Sequence, residues 1–286
     1  MSVPLPRNTN LTLKVHINIE TNTDIVYTND KTKVIILITK DNKYLLKLKK
    51  MTTIENEIKM YNYISKNNIH DISPVCVGIM QNIKYKDVIY DHLLILKNDP
   101  RYIPLDIYLK QTKLNIMQKF QITQTLLHKL YKIHNNGIVH RDIKPSNIII
   151  NSNTLDILFI DFDLSVLEFQ NANNYTISGT RNYIDPKLTS KKRSYIDIED
   201  LKNGDIWSLC ITIYYIYIQQ YPFSSKGKYR RFNVSNDRIA MIYDIPGKVL
   251  YDNYRYTLNE LIQYVHDINN IFRYHQEDKT RVSNKS

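Results

Sequence analysis

The sequence predicts an α+β protein of two lobes, a small β-rich lobe followed by a larger and mainly helical one. Three observations carry this. The first hundred residues hold one strand-like run after another, with a single helical stretch among them. From Leu105 onward the apolar residues recur mostly at helical spacing. Between the two lies a polar stretch with two prolines, Lys97 to Pro104 (KNDPRYIP), of the kind that connects units. The expected divisions are residues 1–97, residues 98–274 and a polar tail at 275–286.

The elements follow in order. LTLKVHINIE, DIVYT, KVIILITK and KYLLKLKK are rich in β-branched and apolar residues and read as strands. Asp41-Asn42 suits a tight hairpin turn between the last two. A helix is expected from about Thr53 to Asn67, where Ile54, Ile58, Tyr61 and Ile64 recur at helical spacing. Two further strands are expected near Ile72–Ile83 and Asp87–Leu96. Past the connection, Ile116, Phe120, Thr123, Leu127 and Leu130 share one face of a long helix, which Gly137 can cap. Short strands, a polar loop region, an apolar helix around DIWSLCITIYYIYI and an amphipathic helix over about Leu258–Tyr274 complete the chain.

Composition narrows the class. An apolar fraction of 43% over 286 residues allows a sizeable core. The apolar run Leu209–Ile218 is about half the length of a membrane span, so a buried helix is the better reading. MSVPLPRNTN lacks the basic-then-apolar build of a signal peptide. Cys76 and Cys210 are the only cysteines, without metal-site spacing or a disulfide framework. A soluble, intracellular, cytoplasmic setting is expected. The net charge of +11, with basic stretches at Lys187–Arg193 and Lys226–Arg231, fits either acidic substrates or a solvated basic face. No interleaving of aromatic and basic residues indicates nucleic acid. Abundant Ile, Asn, Lys and Tyr, all with AT-rich codons, point to an AT-rich genome such as that of a large DNA virus or a parasite.

The chemistry concentrates in IVHRDIKPSNIII, Ile138 to Ile150. Asp142 and Asn147 are five apart in a polar loop between a helix and a strand. Ile148–Ile150 can run out as a strand, turn at NSNT and return through Leu158–Ile160. Asn147 then precedes the first strand of a hairpin and Asp161 follows the second. Both oxygen ligands lie at one end of it, which suits Mg²⁺ shared with substrate phosphates. Asp142 lies beside them, free to accept a proton from an attacking hydroxyl.

HRDIKPSN with a downstream DFD resembles the eukaryotic-type protein kinase superfamily. The resemblance implies a two-lobed kinase-like fold, ATP and Mg²⁺ as cofactors, and protein hydroxyls as acceptors. It makes Asp142 the catalytic base and Asn147 and Asp161 the metal ligands. Lys144 would contact the γ-phosphate, and a lysine there is typical of Ser/Thr kinases. SGTRNYIDP, Ser178 to Pro186, is similar to the family's substrate-docking segment, with Thr180 supporting the catalytic loop. In DIWSL, Asp205 would hold the catalytic-loop backbone; YPF at Tyr221 and YRYTLNELI with Arg255 follow in order. The resemblance covers about residues 30–270 and is more specific in its C-terminal half.

Toward the N-terminus the family pairs a strand lysine with a helix glutamate to hold the α- and β-phosphates. Lys47 fits the lysine, with Lys49 on the same face as a rival. Glu57 fits the glutamate, with Glu55 as its rival. Leu96 or a neighbour would border the adenine pocket.

Three departures stand out. No glycine precedes Gly78, so the glycine-rich phosphate loop, expected near IETNTDIVYTND, is absent. Asp163 replaces the glycine of DFG, which should restrict that hinge and add negative charge near the metal. Lys187 replaces the glutamate that would pair with Arg255. Tyr175, Thr176 and Ser178 lie between Asp161 and Pro186, and with Arg141 just before Asp142 they fit either a phosphate-receiving switch or a loop ordered without phosphate. The reading is an ATP-dependent Ser/Thr protein kinase. Its alternatives are a pseudokinase acting as a binding or decoy module and a small-molecule phosphotransferase.

Overall fold

The computed structural model describes residues 23–28, 32–38, 43–49, 54–69, 71–85, 88–170, 175–189, 195–223, 246, 249–250 and 256–268. Five strands come first: β1 (Thr23–Thr28), β2 (Thr32–Ile38), β3 (Lys43–Lys49), β4 (Cys76–Tyr85) and β5 (Val88–Lys97). They form one antiparallel sheet in the order β1-β2-β3-β5-β4. Strand alternation divides β3 between two faces. Leu46 and Leu48, fully buried, pack with Tyr85, Tyr90 and Leu93 on one face. Lys47 and Lys49 point to the other.

Helix α1 (Ile54–Lys66) covers that second face. Its buried residues Glu57, Met60, Tyr61 and Ile64 follow the i, i+3, i+4, i+7 spacing of a helical stripe, so a glutamate sits among core side chains. Ile58, expected on this stripe, is half-buried, and Met60 takes the more central place. β4 begins at Cys76, later than expected. Residues 71–75 are irregular and carry Pro74, which lacks a strand donor, while Ile72 is buried in the core.

The second half begins with β6 (Tyr102–Pro104) and α2 (Leu105–Gln111). Helix α3 (Ile116–Asn135) starts with a reciprocal cap, Asn115 to the Gln118 N–H and the Gln118 side chain back to Asn115. It ends where Gly137 takes a left-handed φ of 68°. β7 (Ile138–Val139), β8 (Ile148–Asn151), β9 (Ile157–Phe159) and β10 (Val166–Leu167) follow. β8 and β9 form the expected hairpin, with Ile148 opposite Phe159, and β6 pairs with β8. β7 pairs with β10.

Helix α4 (Ile198–Ile218) starts seven residues before Asp205, because Asp197 and Asp200 form a capping box ahead of the apolar run. It is buried on most sides, from Leu201 to Tyr217, as an all-round apolar helix requires. Among the described residues no helix is long and apolar enough to cross a membrane. Residues 258–268 are helical, with Leu258, Leu261, Val265 and Ile268 joining the main core. Several expectations lie outside the described residues: the strand at LTLKVHINIE, the Asp41-Asn42 turn, Arg255, most of both basic stretches and the 275–286 tail.

Candidate active site

The loop after β7 is pinned from α4. Asp205, 1% exposed, accepts from the His140 N–H at 2.8 Å, the Arg141 N–H at 2.7 Å and His134 Nε2 at 3.0 Å. These bonds hold Arg141 in a left-handed backbone, φ 68°, which costs a residue with a Cβ roughly 1–2 kcal/mol. The turn delivers Asp142, whose carboxylate is fully engaged. Oδ1 accepts from the Thr180 N–H at 2.9 Å and hydroxyl at 2.7 Å. Oδ2 accepts from Lys144 Nζ at 2.7 Å and Asn147 Nδ2 at 2.8 Å. Lys144 also donates to Thr180 Oγ1 at 2.6 Å. The sequence-predicted Asp142, Lys144, Asn147 and Thr180 therefore form one cluster around one carboxylate.

A second cluster sits between β3, α1 and the residues after β9. Lys47 Nζ lies 2.8 Å from Glu57 Oε1 and 2.8 Å from Asp161 Oδ1. Glu57 is buried and Glu55 is exposed, so the helix face chooses between the two glutamates. The strand makes no such choice between the lysines. Lys49 also faces Glu57, 3.3 Å from Oε2, and donates its hydrogen bond to Asp163 Oδ2. Leu96, 3% exposed, lies opposite Leu45 on β3 and Cys76 on β4 in the main core.

Two lysines and three carboxylates meet here, a net charge of −1 with everything ionised. Burial alone would raise Asp161, but the Lys47 ammonium, with Lys49 and His140 behind it, holds its carboxyl down at about 2. Burial lowers Lys47 as well, and Glu57, Asp161 and Asp163 together raise it well above its ordinary value. Burial, then Glu57 and Asp161, push Asp163 up to about 7, with Lys47 and Lys49 pulling the other way. Glu57 and Lys49 are buried while Asp161 and Asp163 are half-buried, and ion pairs with buried members rarely add net stability.

Carboxylate atoms of Glu57, Asp161 and Asp163 lie within 4.8 Å of one another. Two ammonium groups already serve that trio, which makes it an ion-pair network rather than a metal centre. The donors that would hold Mg²⁺ are Asn147 and, from this trio, Asp161 alone. Asn147 spends its amide N–H bonds on Asp142 O, at 2.9 Å, and Oδ2, leaving Oδ1 for a ligand. Asp161 binds Lys47 through Oδ1 and leaves Oδ2. An amide and a carboxylate oxygen are the donor types Mg²⁺ takes, so these residues fit the ion.

The chain matches the protein kinase domain over residues 24–281. It belongs to the protein kinase family. Among its relatives are the serine/threonine-protein kinase PLK1 of Xenopus tropicalis, 25% identical over 160 residues, and calcium-dependent protein kinase 5 of Plasmodium falciparum, 27% identical over 177 residues. These matches cover 52% and 57% of this chain but only 25% and 30% of the relatives' own lengths. A probable serine/threonine-protein kinase PLK of Dictyostelium discoideum is 27% identical over 73% of this chain and 19% of its own. Kinase domains generally use ATP and Mg²⁺.

Of the features that depart from the family pattern, Asp163 and Lys187 lie among the described residues. Asp161 takes the left-handed backbone, φ 67° and ψ 68°, and Phe162–Leu164 forms a short 3-10 turn. Asp163 has no positive φ, so the conformation seen here does not need a glycine there. What ties Asp163 in place is its carboxylate bonded to Lys49, not an unusual backbone angle. The turn between β1 and β2, where the glycine-rich loop is missing, lies outside the described residues, and so does Arg255, the partner Lys187 would oppose. Arg141 donates to Leu164 O at 3.0 Å, to Thr176 O and to Ser178 Oγ, which ties the catalytic loop to both segments.

Sequence reasoning missed three parts of the kinase site. Asn56 Nδ2 donates to the carbonyls of Asp163, at 2.8 Å, and Ser165, at 2.5 Å. Phe162, fully buried, packs edge-on to Tyr61 at 5.8 Å and against His140 at 5.0 Å, joining α1 to the catalytic loop. Asp163 pairs with Lys49. The shared face of Lys47 and Lys49 was a usable signal for the last. Nothing local marked the other two.

Proposed function

We propose that this kinase domain is catalytically active and transfers the γ-phosphate of ATP to serine or threonine hydroxyls of proteins. The observation that carries the reading is Lys47, held between Glu57 and Asp161 at 2.8 Å from each, while Asp142 stands oriented in the facing cluster. A binding module has no chemical need for this network, in which Glu57 and Lys49 are charged groups taken out of water.

Lys47 would engage the α- and β-phosphates, with Glu57 orienting its ammonium. Asn147 and Asp161 would hold Mg²⁺, which supplies charge neutralisation of the phosphates. Asp142 would orient the acceptor hydroxyl and take up its proton. Lys144, between Asp142 and Thr180, would meet the charge that develops on the transferred group. Lys144 and the relatives' Ser/Thr specificity support the choice of acceptor. The charge of +11 supports acidic protein substrates, and the unpaired Cys76 and Cys210 support a reducing, cytoplasmic setting. The abundance of Ile, Asn, Lys and Tyr, residues with AT-rich codons, supports an AT-rich source such as a large DNA virus or a parasite, and a viral source would place the enzyme in the host cytoplasm.

The pseudokinase reading keeps one specific point in its favour, the lack of any glycine before Gly78. Transfer of label from ATP, with Mg²⁺, to an acidic and a basic generic protein decides between them. Transfer by the wild type that vanishes in both Asp142→Asn and Asp161→Asn is the expected result. A folded wild type with neither transfer nor an ATP-dependent rise in melting temperature overturns it.

A further inference from the structure

Strand β3 offers two lysines to one glutamate. Lys47 and Lys49 share a face, and both reach Glu57, one at each carboxylate oxygen. The two contacts are not equal. Lys47 makes a hydrogen bond to Oε1, whereas Oε2 has no hydrogen bond, and Lys49 stands off at 3.3 Å. What draws Lys49 away is Asp163, the residue in place of the family's glycine. The segment that carries Asp163 is itself tied to α1, because Asn56, next to Glu57, donates to the Asp163 and Ser165 carbonyls.

We propose that Lys49 and Asp163 are a compensating pair of positioning residues, in which Asp163 takes the second lysine and so leaves Glu57 to Lys47. This rests on the kinase reading of the site. Three lines of geometry support it. The side chain of Lys49 is 5% exposed, so water cannot satisfy its charge if Asp163 is lost. Among the described residues Glu57 is then the acid left within ion-pair distance of Lys49, at 3.3 Å. Two ammonium groups on one carboxylate weaken the hold of each, and Lys47 is the one that must stay on the phosphate side. Removing Lys49 instead strands Asp163 beside Glu57 and Asp161, whose like charges crowd Asp161. Each single loss is therefore harmful, and the joint loss returns the simpler arrangement of one lysine, one glutamate and one aspartate.

A double-mutant cycle tests this. Asp163→Ala removes the carboxylate without adding the freedom of glycine, and Lys49→Met removes the charge while keeping the length. KM for ATP, KM for the protein substrate, kcat and melting temperature are measured for the wild type, both single variants and the double variant. Each single variant is expected to raise KM for ATP by about tenfold or more, a displacement of Lys47 of order one hydrogen bond, while KM for the protein substrate stays within about threefold. The double variant is expected to recover to within about threefold of wild type, and Lys49→Arg, which keeps the pair, to remain close to it. Additive losses in the double variant, or an Asp163→Ala with unchanged KM for ATP, overturn the pairing. Equal losses in both KM values overturn the positioning role. A folded wild type without transfer instead overturns the kinase reading. The pairing is then judged by melting alone: recovery in the double variant upholds it and additivity overturns it.

Discussion

Replacing Asp205 by asparagine changes almost nothing in shape and should still unpin the catalytic loop. The carboxylate accepts from three donors, the His140 and Arg141 N–H groups and His134 Nε2, at 1% exposure. Oδ2 serves His140 and His134, and Oδ1 serves Arg141. An asparagine oxygen at the Oδ2 position keeps two of these bonds and sets its NH₂ against the Arg141 N–H. A buried donor left without an acceptor costs about 1–3 kcal/mol, and the surviving bonds lose their charge assistance, about 1 kcal/mol more. A loss of about 3 kcal/mol follows, which at about 2.1 cal/mol/K per residue over 286 residues lowers Tm by about 5 °C. Arg141, no longer held at φ 68°, can relax toward ordinary backbone angles and carry Asp142 with it. A displacement of about 1 Å at the base is enough for about a hundredfold in kcat. Thermal melting and steady-state transfer on Asp205→Asn measure both quantities. A Tm within about 2 °C of wild type, together with kcat within about threefold, would refute the claim that this carboxylate holds the loop.

Gly179→Ala should hurt catalysis more than stability. Its φ is +124°, and a Cβ there would stand 2.6 Å from the Arg141 carbonyl oxygen, forcing apart the two segments that Thr180 and Asp142 join. About a hundredfold loss of kcat is expected, with kinetics as the check. Phe162→Ala removes a fully buried ring from between Tyr61 and His140 and should cost about 3–5 kcal/mol in denaturant unfolding. The acid behaviour of Asp161 has a definite sign. Its folded-state value, about 2, lies below its unfolded value, so its contribution is present above about pH 4 and is lost as pH falls through about 2. The Tm difference between wild type and Asp161→Asn should shrink between about pH 4 and 2, whereas a change between about pH 7 and 5 belongs to Asp163, which Asp161 helps push up to about 7. A gap already closed at pH 5 contradicts the ion pair with Lys47.

Residues close in the chain made half of this site legible without coordinates. Asp142, Lys144 and Asn147 occupy one loop, and Asp161 follows a hairpin whose two strands are six residues apart, so spacing alone brings them near one another. Helical periodicity likewise delimited α1 and α3, because a 3.6-residue stripe is a local property. Strand alternation could show that Lys47 and Lys49 share a face and, for that same reason, could not rank them. Packing of α1 decided that Glu57 is buried and Glu55 exposed. The partners that give Asp163 and Asn56 their roles are 114 and 107 residues distant, and no local preference encodes such a contact. Local pattern was enough for the two-lobed kinase fold and for the loop that carries the base. The part played by the aspartate in place of a glycine was not local, because its partner is a lysine 114 residues away, brought within reach when sheet, helix and loop close around one set of charges.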